Sequence, residues 1–230
     1  MMEIFNIKSN YEVLPVDAFI EDDTVIPGVI GRKVDINKSY ENMRISGIFR
    51  EDALVFKDIL PSSSLSNNMD KYIVKGNNNK KEVAIIVIFN NNYIDEINQI
   101  DNITVFVNHN DLNIENIKKI KGKEIYTYGN KGEYNSEMLI SDNVLINRIT
   151  NNKSSYCLVE SKNNEILNIC NSNNMYVVLP NIVGGYYEVK NNLSNGSIIF
   201  LDKINDIDNI IRYINSKGYN IITLSKLLTE

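Results

Sequence analysis

Residues 193–201 read LSNGSIIFL, and this stretch combines a tight turn with a short apolar strand. Asn195 and Gly196 indicate the turn, because both residue types adopt the positive φ angles that tight turns require. The run 197–201 that follows is apolar and rich in isoleucine, which favours a strand buried on both faces. The stretch therefore predicts one strand of a buried, mainly parallel sheet.

A helix and another strand follow along the chain. Asp206 can cap a helix whose isoleucines recur at helical spacing through residues 207–214. Gly218 can adopt the left-handed conformation that ends such a helix. Residues 221–223 then indicate a last buried strand, and residues 225–228 a terminal helical turn.

The alternation of strand and helix extends back to about residue 82. Short β-branched runs alternate there with amphipathic stretches, which is typical of βα units in a mainly parallel sheet. The predicted strands are residues 83–89, 103–107, 123–128 and 176–179. The predicted helices are residues 93–100, 114–120, 135–148 and 165–170. The fold class predicted from these patterns is α/β.

The residues before this alternation have a different character. They hold three of the four prolines, the serine run 62–64 and one helix candidate, residues 39–45, which ends at Gly47. We therefore divide the chain into an irregular or β-rich N-terminal extension, residues 1–78, and an α/β unit, residues 79–230. The sequence does not indicate the role of the extension.

Composition excludes several classes of protein. Hydrophobic residues make up 43% of the chain and charged residues 23%, as in proteins that bury a core. The net charge of -5 argues against a nucleic-acid partner, because such proteins concentrate basic residues on one surface. The sequence shows neither an apolar run of about 18 residues nor a charged-then-apolar leader, so it predicts neither a membrane span nor a signal peptide.

The chain contains two cysteines, Cys157 and Cys170. Their spacing is not that of a Cys-x-x-Cys pair, and two cysteines over this length neither demand a disulfide framework nor supply a zinc site. They leave the redox compartment open.

Several strands resemble those of the polysaccharide deacetylases. Residues 83–89, VAIIVIF, resemble the first barrel strand of that family, and residues 103–107, ITVFV, resemble its Ala-Thr-Phe-Phe-Val strand. Residues 123–125, KEI, are similar to the His-Glu-Ile that starts its third strand. Residues 196–201 and 217–228 resemble its Gly-Ser-Ile-Ile-Leu strand, Lys-Gly-Tyr turn and final Thr-Leu-Ser-Glu-Leu-Leu.

The resemblance is to the NodB-homology group, carbohydrate esterase family 4, and it covers the last two thirds of the chain in the correct order. It implies a distorted (β/α) barrel of about seven strands, with the functional site at the carboxyl ends of the strands. It also implies a reaction in which a metal-activated water, a carboxylate base and an acid remove an acetyl group from a polysaccharide.

The residues that this reaction needs are replaced at the matching positions. The family's Thr-Phe-Asp-Asp-Gly, which holds the base and one metal ligand, matches a stretch with Asn90 and Asn91 at the two aspartates. Its His-Ser/Thr-x-x-His matches a stretch with Tyr128 and Gly132 at the two histidines. An amide accepts no proton at neutral pH, and loss of a general base alone costs about 10² to 10⁴ in rate.

Two further positions of the family differ as well. The arginine of the third motif falls near Cys157, and the histidine of the fifth falls at Asp202. The single histidine of the chain, His109, lies where the family keeps no ligand, and we interpret it as a solvated loop residue. The sequence therefore predicts no metal and no other cofactor, unless carboxylates have rebuilt a zinc site.

Some residues could still bind a ligand or rebuild a site. Asp202 with Asp206 and Asp208 could form an acidic site, although a strand end followed by helix capping accounts for them. Aromatic rings near strand ends can stack on sugars, and this places five residues among the candidates for ligand binding: Tyr126, Tyr128, Tyr134, Tyr186 and Tyr187.

Three hypotheses follow. The first, which we favour, is a catalytically inactive deacetylase-like barrel that binds cell-wall glycan or a protein partner. The second is a divergent deacetylase or other hydrolase whose carboxylates Asp202, Glu133 and Glu160 converge on a metal. The third is a structural module in which the N-terminal region, through residues 25–32, fills the old cleft. The family resemblance suggests a location at the bacterial cell surface.

Overall fold

The structure, a computed structural model, describes residues 2–120, 122–151 and 154–230. The N-terminal region begins with a short helix and adds strands in two places. Its elements are α1 (Met2–Ile7), β1 (Phe19–Glu21), β2 (Thr24–Ile26), β3 (Gly31–Val34), α2 (Ile36–Met43), β4 (Phe56–Ile59) and β5 (Tyr72–Ile73). The antiparallel pair β3–β4 stands apart, whereas β1, β2 and β5 join the sheet of the following unit.

The strands of that unit alternate with helices, as the sequence predicts. They are β6 (Glu82–Ile88), β7 (Thr104–Val107), β8 (Glu124–Thr127), β9 (Tyr156–Leu158), β10 (Tyr176–Val178), β11 (Ile182–Val183), β12 (Ile198–Leu201) and β13 (Asn220–Ile221). The helices are α3 (Ile94–Gln99), α4 (Ile114–Lys119), α5 (Ser136–Thr150), α6 (Asn164–Ser172), α7 (Tyr186–Asn192), α8 (Ile207–Ser216) and α9 (Leu224–Leu227).

Within the described residues these strands form an incomplete parallel barrel. One sheet has the order β11-β12-β6-β7-β8, with β13 paired to β6, and the other has the order β1-β2-β5-β10-β9. The seam between β8 and β9 is bridged by the rings of Tyr126 and Tyr156, whose centroids are 5.2 Å apart. The predicted α/β class and distorted barrel are confirmed.

Alternation along each strand separates two cores. On β6, Ala84 and Ile86 face the barrel interior, whereas Val83, Ile85 and Val87 pack under the surrounding helices. The helix α9 closes one end of the interior with Leu224, Leu227 and Leu228. Such strands are buried on both faces, and this explains why they appear in the sequence as continuous apolar runs.

The N-terminal region packs against this barrel and reaches its interior. Four of its apolar side chains belong to the interior cluster: Ala18, Val25, Leu65 and Ile73. β5 pairs in parallel with β10, so backbone hydrogen bonds cross the predicted boundary at residue 78. The boundary itself stays a prediction. Among the described residues, no helix has both the length and the apolar character needed to cross a membrane.

Candidate functional site

A cavity of about 420 Å³ lies where β6, β7 and β12 end, and we call it the mouth cavity. Its apolar part is formed by Ile88, Phe89, Tyr93, Leu201 and Ile204. Its polar lining consists of Asn90, Asn91, Asn108, Asp111, Asp202 and Lys203. The structure therefore brings Asn90, Asn91 and Asp202 together at the carboxyl ends of the strands, where a barrel of this type places its site.

The amide oxygens around this cavity are used within the protein. The Asn90 side chain accepts a hydrogen bond from the backbone N–H of Asn92 at 2.9 Å. Asn91 Oδ1 accepts one from Lys119 Nζ at 3.0 Å, and Asn108 Oδ1 accepts one from the Lys131 backbone N–H at 3.2 Å. Each amide oxygen thus helps to fix its loop. The amide N–H donors of these three side chains have no hydrogen-bond acceptor among the described residues.

Tyr128 occupies the position of the first family histidine and lies largely inside the barrel. Its hydroxyl donates to Glu160 Oε1 at 2.7 Å, and its ring packs beside that of Phe200. Burial, together with the hydrogen bond to the Glu160 carboxylate, raises the pKa of Tyr128. A neutral phenol therefore stands where an imidazole ligand would be, and its hydroxyl is already bonded to a carboxylate.

Gly132, at the position of the second family histidine, has a backbone that disfavours a histidine. Its φ is +87°, in the left-handed region where side chains are strained. A Cβ at this position would lie 3.3 Å from the Tyr128 hydroxyl. The loop is a compact turn, closed by a hydrogen bond from Gly132 N–H to the Tyr128 carbonyl at 2.8 Å.

Cys157 lies on β9 and is disulfide-bonded to Cys170 of α6. The sequence left their pairing open. Both residues are fully buried, so the position matched to the family's arginine contributes to the core and presents no charge to the mouth cavity.

The carboxylates of the second hypothesis do not gather into a metal site. Among the described residues, no three His, Cys, Asp or Glu side chains form a group that could hold a metal ion. Glu160 binds the Tyr128 hydroxyl, and Asp202 lies at the exposed end of β12. The convergence predicted for Asp202, Glu133 and Glu160 is therefore wrong. The residues present do not fit the zinc that the fold family implies.

The acidic residues near α8 were interpreted as a strand end followed by helix capping. The structure agrees with this interpretation except at Asp206. Asp208 lies in the first turn of α8, where its charge favours the helix dipole. Asp206 precedes the helix, but within the described chain its side chain makes no capping hydrogen bond. The predicted cap is therefore wrong in its chemistry, and the Asp206 carboxylate is left available to solvent.

The interpretation of His109 as a solvated loop residue is incomplete, because its side chain pairs with a buried carboxylate, that of Asp142. His109 Nδ1 lies 2.7 Å from Asp142 Oδ1, and Asp142 also accepts a hydrogen bond from the Thr127 hydroxyl at 2.6 Å. Asp142 is 3% exposed and lies on α5 between the buried Leu139 and Ile146. A charged residue on the apolar face of a predicted helix was the signal that could have revealed this network.

The tyrosines proposed for sugar stacking divide into two groups. Tyr126, Tyr128 and Tyr134 are buried, and the Tyr134 hydroxyl bonds the Leu158 carbonyl at 3.0 Å. Their rings pack in the core, those of Tyr126 and Tyr128 in the barrel interior and that of Tyr134 in a neighbouring cluster. Tyr186 and Tyr187 on α7 are 36% and 71% exposed. Only these two are open to a ligand.

The N-terminal segment 25–32 does not fill the mouth cavity. Val25 packs into the barrel interior, but every residue that lines the mouth cavity lies at or after Ile88. The docking of the N-terminal region agrees with the third hypothesis, whereas the filled cleft does not.

Comparison with known proteins places this arrangement in context. No protein-family profile matches the chain. Among curated proteins, the uncharacterized protein YlxY of Bacillus subtilis is 40% identical over 76 residues, which span 33% of this chain and 24% of YlxY. The matched region is thus about a quarter of that relative.

Solved structures match over much more of the chain. BA3943 of Bacillus anthracis, described as a family-4 carbohydrate esterase pseudoenzyme, matches with a TM-score of 0.71 and 22% identity, over 100% of this chain and 94% of that one. The chitin deacetylase of Colletotrichum lindemuthianum matches with a TM-score of 0.56 and 15% identity, over 69% of this chain and 91% of that one. The chain has the fold of the family-4 carbohydrate esterases, the NodB-type deacetylase barrel.

Proposed function

We propose that this protein binds glycan at the mouth of a deacetylase-type barrel without hydrolysing it. The observation that carries the proposal is the polar lining of the mouth cavity. Three amides, Asn90, Asn91 and Asn108, have N–H donors without a protein acceptor among the described residues. Two carboxylates of the same lining, Asp111 and Asp202, are acceptors without a side-chain hydrogen bond in the described chain.

Such a lining suits a neutral molecule that carries many hydroxyl groups. Each sugar hydroxyl both donates and accepts a hydrogen bond, so it can pair with an amide N–H and a carboxylate oxygen. The apolar floor of Ile88 and Tyr93 can meet a C–H face of a sugar ring. A concave site with an apolar floor and a few polar groups is typical of small-ligand recognition. We favour a glycan over a protein partner because stable protein interfaces need far broader surfaces.

The groups that replace the family's machinery support the absence of hydrolysis. Neither Asn90 nor Asn91 can accept a proton from water at neutral pH, and Tyr128 is a neutral phenol bonded to Glu160. Hydrolysis of an acetamide at neutral pH needs a general base and an electrophile, and the residues at the family's motif positions supply neither. The description of BA3943 as a pseudoenzyme is a property of that protein, and it supports the same assignment for this chain.

A location at the bacterial cell surface is part of the proposal. One solved relative is a peptidoglycan N-acetylglucosamine deacetylase, and a disulfide such as Cys157–Cys170 is typical of oxidising compartments.

The test combines metal content, acetate release and glycan binding on the purified, zinc-supplemented protein. We expect no stoichiometric zinc, no acetate from acetylated chitooligosaccharide or peptidoglycan, and measurable binding of N-acetylglucosamine oligosaccharides by calorimetry. One bound zinc together with acetate release would overturn the proposal, and so would the absence of any glycan binding.

A matched pair of variants locates the binding. Asp202→Ala removes an acceptor from the mouth cavity and should weaken oligosaccharide binding roughly fivefold, the effect of a hydrogen bond worth about 1 kcal/mol. Asp208→Ala removes the same side chain from an exposed helix position outside the cavity and should leave binding unchanged. Equal effects of the two variants would place the ligand elsewhere.

A further inference from the structure

Helix α5 is apolar on two opposite faces, although only one of them packs against the barrel. Its inner face carries Leu139 and Ile146, which are fully buried. Ile140 and Val144 lie on the opposite face and are 58% and 63% exposed. A surface helix normally presents polar side chains to solvent, and an apolar outer stripe is typical of a helix that packs against another helix.

The outer face of α5 has the residue spacing of a helix–helix contact. Its exposed residues include Glu137, Ile140, Val144 and Arg148, which follow one another at intervals of three, four and four. Such intervals keep side chains on one stripe of an α-helix. The two apolar residues occupy the middle of this stripe, and the two charged residues occupy its ends.

The two ends of the stripe carry opposite charges. Glu137 and Arg148 are eleven positions apart, close to three helical turns. They therefore lie on the same side of the stripe, about 16 Å apart along the helix axis. Among the described residues, neither side chain makes an ion pair or a hydrogen bond. Both charges are thus available to a partner.

We propose that α5 forms the contact of a two-fold symmetric homodimer, in which it packs antiparallel against α5 of a second copy of the chain. A two-fold axis beside residue 142 sets Ile140 against the partner's Val144. The same axis sets Glu137 opposite the partner's Arg148, because the midpoints of the two pairs differ by only half a residue. Each contact forms twice, as a two-fold interface requires.

The charges favour a second copy as the partner. A stripe with one acidic and one basic end complements itself when a two-fold axis reverses its direction, because that axis keeps each side of the stripe facing its own counterpart. Opposite charges across an interface fix its register and suppress other arrangements.

The size of the contact predicts a reversible dimer. A helix of 15 residues is about 22 Å long, so one such contact lies at the small end of stable interfaces. We therefore expect a dissociation constant in the micromolar range. Because α5 follows the carboxyl end of β8, its first turn lies on the side of the mouth cavity. In the antiparallel dimer the two mouth cavities face opposite directions.

The test is sedimentation velocity of the whole protein from nanomolar to high micromolar concentration. The unmodified protein should change from monomer to dimer over this range. Val144→Glu should stay monomeric, because the dimer would bury the new charge against the partner's Ile140. Ile45→Glu is the matched control, since Ile45 is 96% exposed and lies in the N-terminal region. It should dimerise as the unmodified protein does, and circular dichroism should show both variants folded.

Charge reversal tests the register of the helix pair. Arg148→Glu should weaken the dimer roughly five- to tenfold, the range expected when two exposed ion pairs become repulsive. Adding Glu137→Arg should restore the dimer, because the reversed charges attract again across the axis. The reversed charges oppose the helix dipole, so a more stable helix does not account for this recovery.

Three outcomes would overturn the proposal. The first is a protein that stays monomeric at every concentration. The second is a dimer that Val144→Glu leaves intact or that only Ile45→Glu dissociates, because the interface then lies elsewhere. The third is a double charge reversal that associates no better than Arg148→Glu alone.

Discussion

At the scale of single residues, the backbone of the loop 128–132 disfavours the side chains that the deacetylase motif would place there. Gly129 and Gly132 have φ angles of +59° and +87°, and Lys131 between them has +54°. A loop with this backbone is a tight turn, in which side chains at positions 129 and 132 are disfavoured. The family's two histidines are replaced in this loop. Its backbone conformation also disfavours a histidine at position 132.

Gly132→Ala should destabilise the protein by about 1–2 kcal/mol, because alanine is strained at positive φ, with a further small cost from the contact with the Tyr128 hydroxyl. Urea unfolding measures the change. Gly47→Ala is the control, since Gly47 also has positive φ but its added Cβ would meet nothing within 4 Å. Measured against Tyr128→Phe alone, which loses the hydrogen bond to Glu160, the added Gly132→Ala change should cost less only by the contact part. Full stability of Gly132→Ala would show that this turn does not constrain the loop.

The sequence identified these positions but not what the replacing side chains do. The substitutions at Asn90, Asn91 and Tyr128 were visible from the family's spacing alone. The hydrogen bond from Tyr128 to Glu160 joins residues 32 positions apart, and that between His109 and Asp142 joins residues 33 apart. Contacts at such separation depend on how β8, β9 and α5 pack, and no local pattern specifies that.

At the scale of elements, strands with strong apolar runs were predictable and short ones were not. β6 and β12 agree with their predicted bounds to within a residue. β9 and β5 contain only three and two residues, and they are strands because they pair with β10. α7 was missed because its seven residues follow a glycine turn and carry little apolar periodicity. β5 and β9 are therefore strands because of their pairing in the sheet, and not because of the local strand preference of their residues.

The disulfide between β9 and α6 should stabilise this part of the barrel. Its cysteines are separated by 13 residues, and closing a loop of that length in the unfolded chain is worth about 3 kcal/mol. Urea unfolding with and without dithiothreitol should show this loss on reduction. The double variant Cys157→Ala/Cys170→Ala should be insensitive to the reductant. An unmodified protein that is equally insensitive would mean that the two cysteines are not bonded.

At the scale of the whole molecule, the barrel interior contains several buried tyrosines. Tyr126, Tyr128 and Tyr156 lie in it, and Tyr134 is buried in the neighbouring cluster. Burial is the main cause that raises the pKa of each of these four phenols above the ordinary value of 10. The folded state therefore holds them neutral at pH values where an unfolded chain would ionise them.

This arrangement predicts a loss of stability at alkaline pH. A raised pKa in the folded state contributes stability that is fully present below pH 10 and decreases as pH rises above it, because the unfolded state then releases protons first. Urea midpoints measured between neutral pH and pH 11 should fall above pH 10. Tyr126→Phe, which removes one such hydroxyl, should show a shallower fall. A midpoint that stays flat to pH 11 would contradict the burial of these hydroxyls.

The carboxylate of Glu230 accepts hydrogen bonds from the backbone N–H groups of Gly28 and Leu65, which precede it by 202 and 165 residues. During synthesis, these two hydrogen bonds can therefore form only after almost the whole of this chain has been made. Contacts of such long range slow folding, because loop closure precedes any gain from them. Until then the apolar side chains of Ala18, Val25 and Leu65 lack the late members of their cluster, Leu224, Leu227 and Leu228.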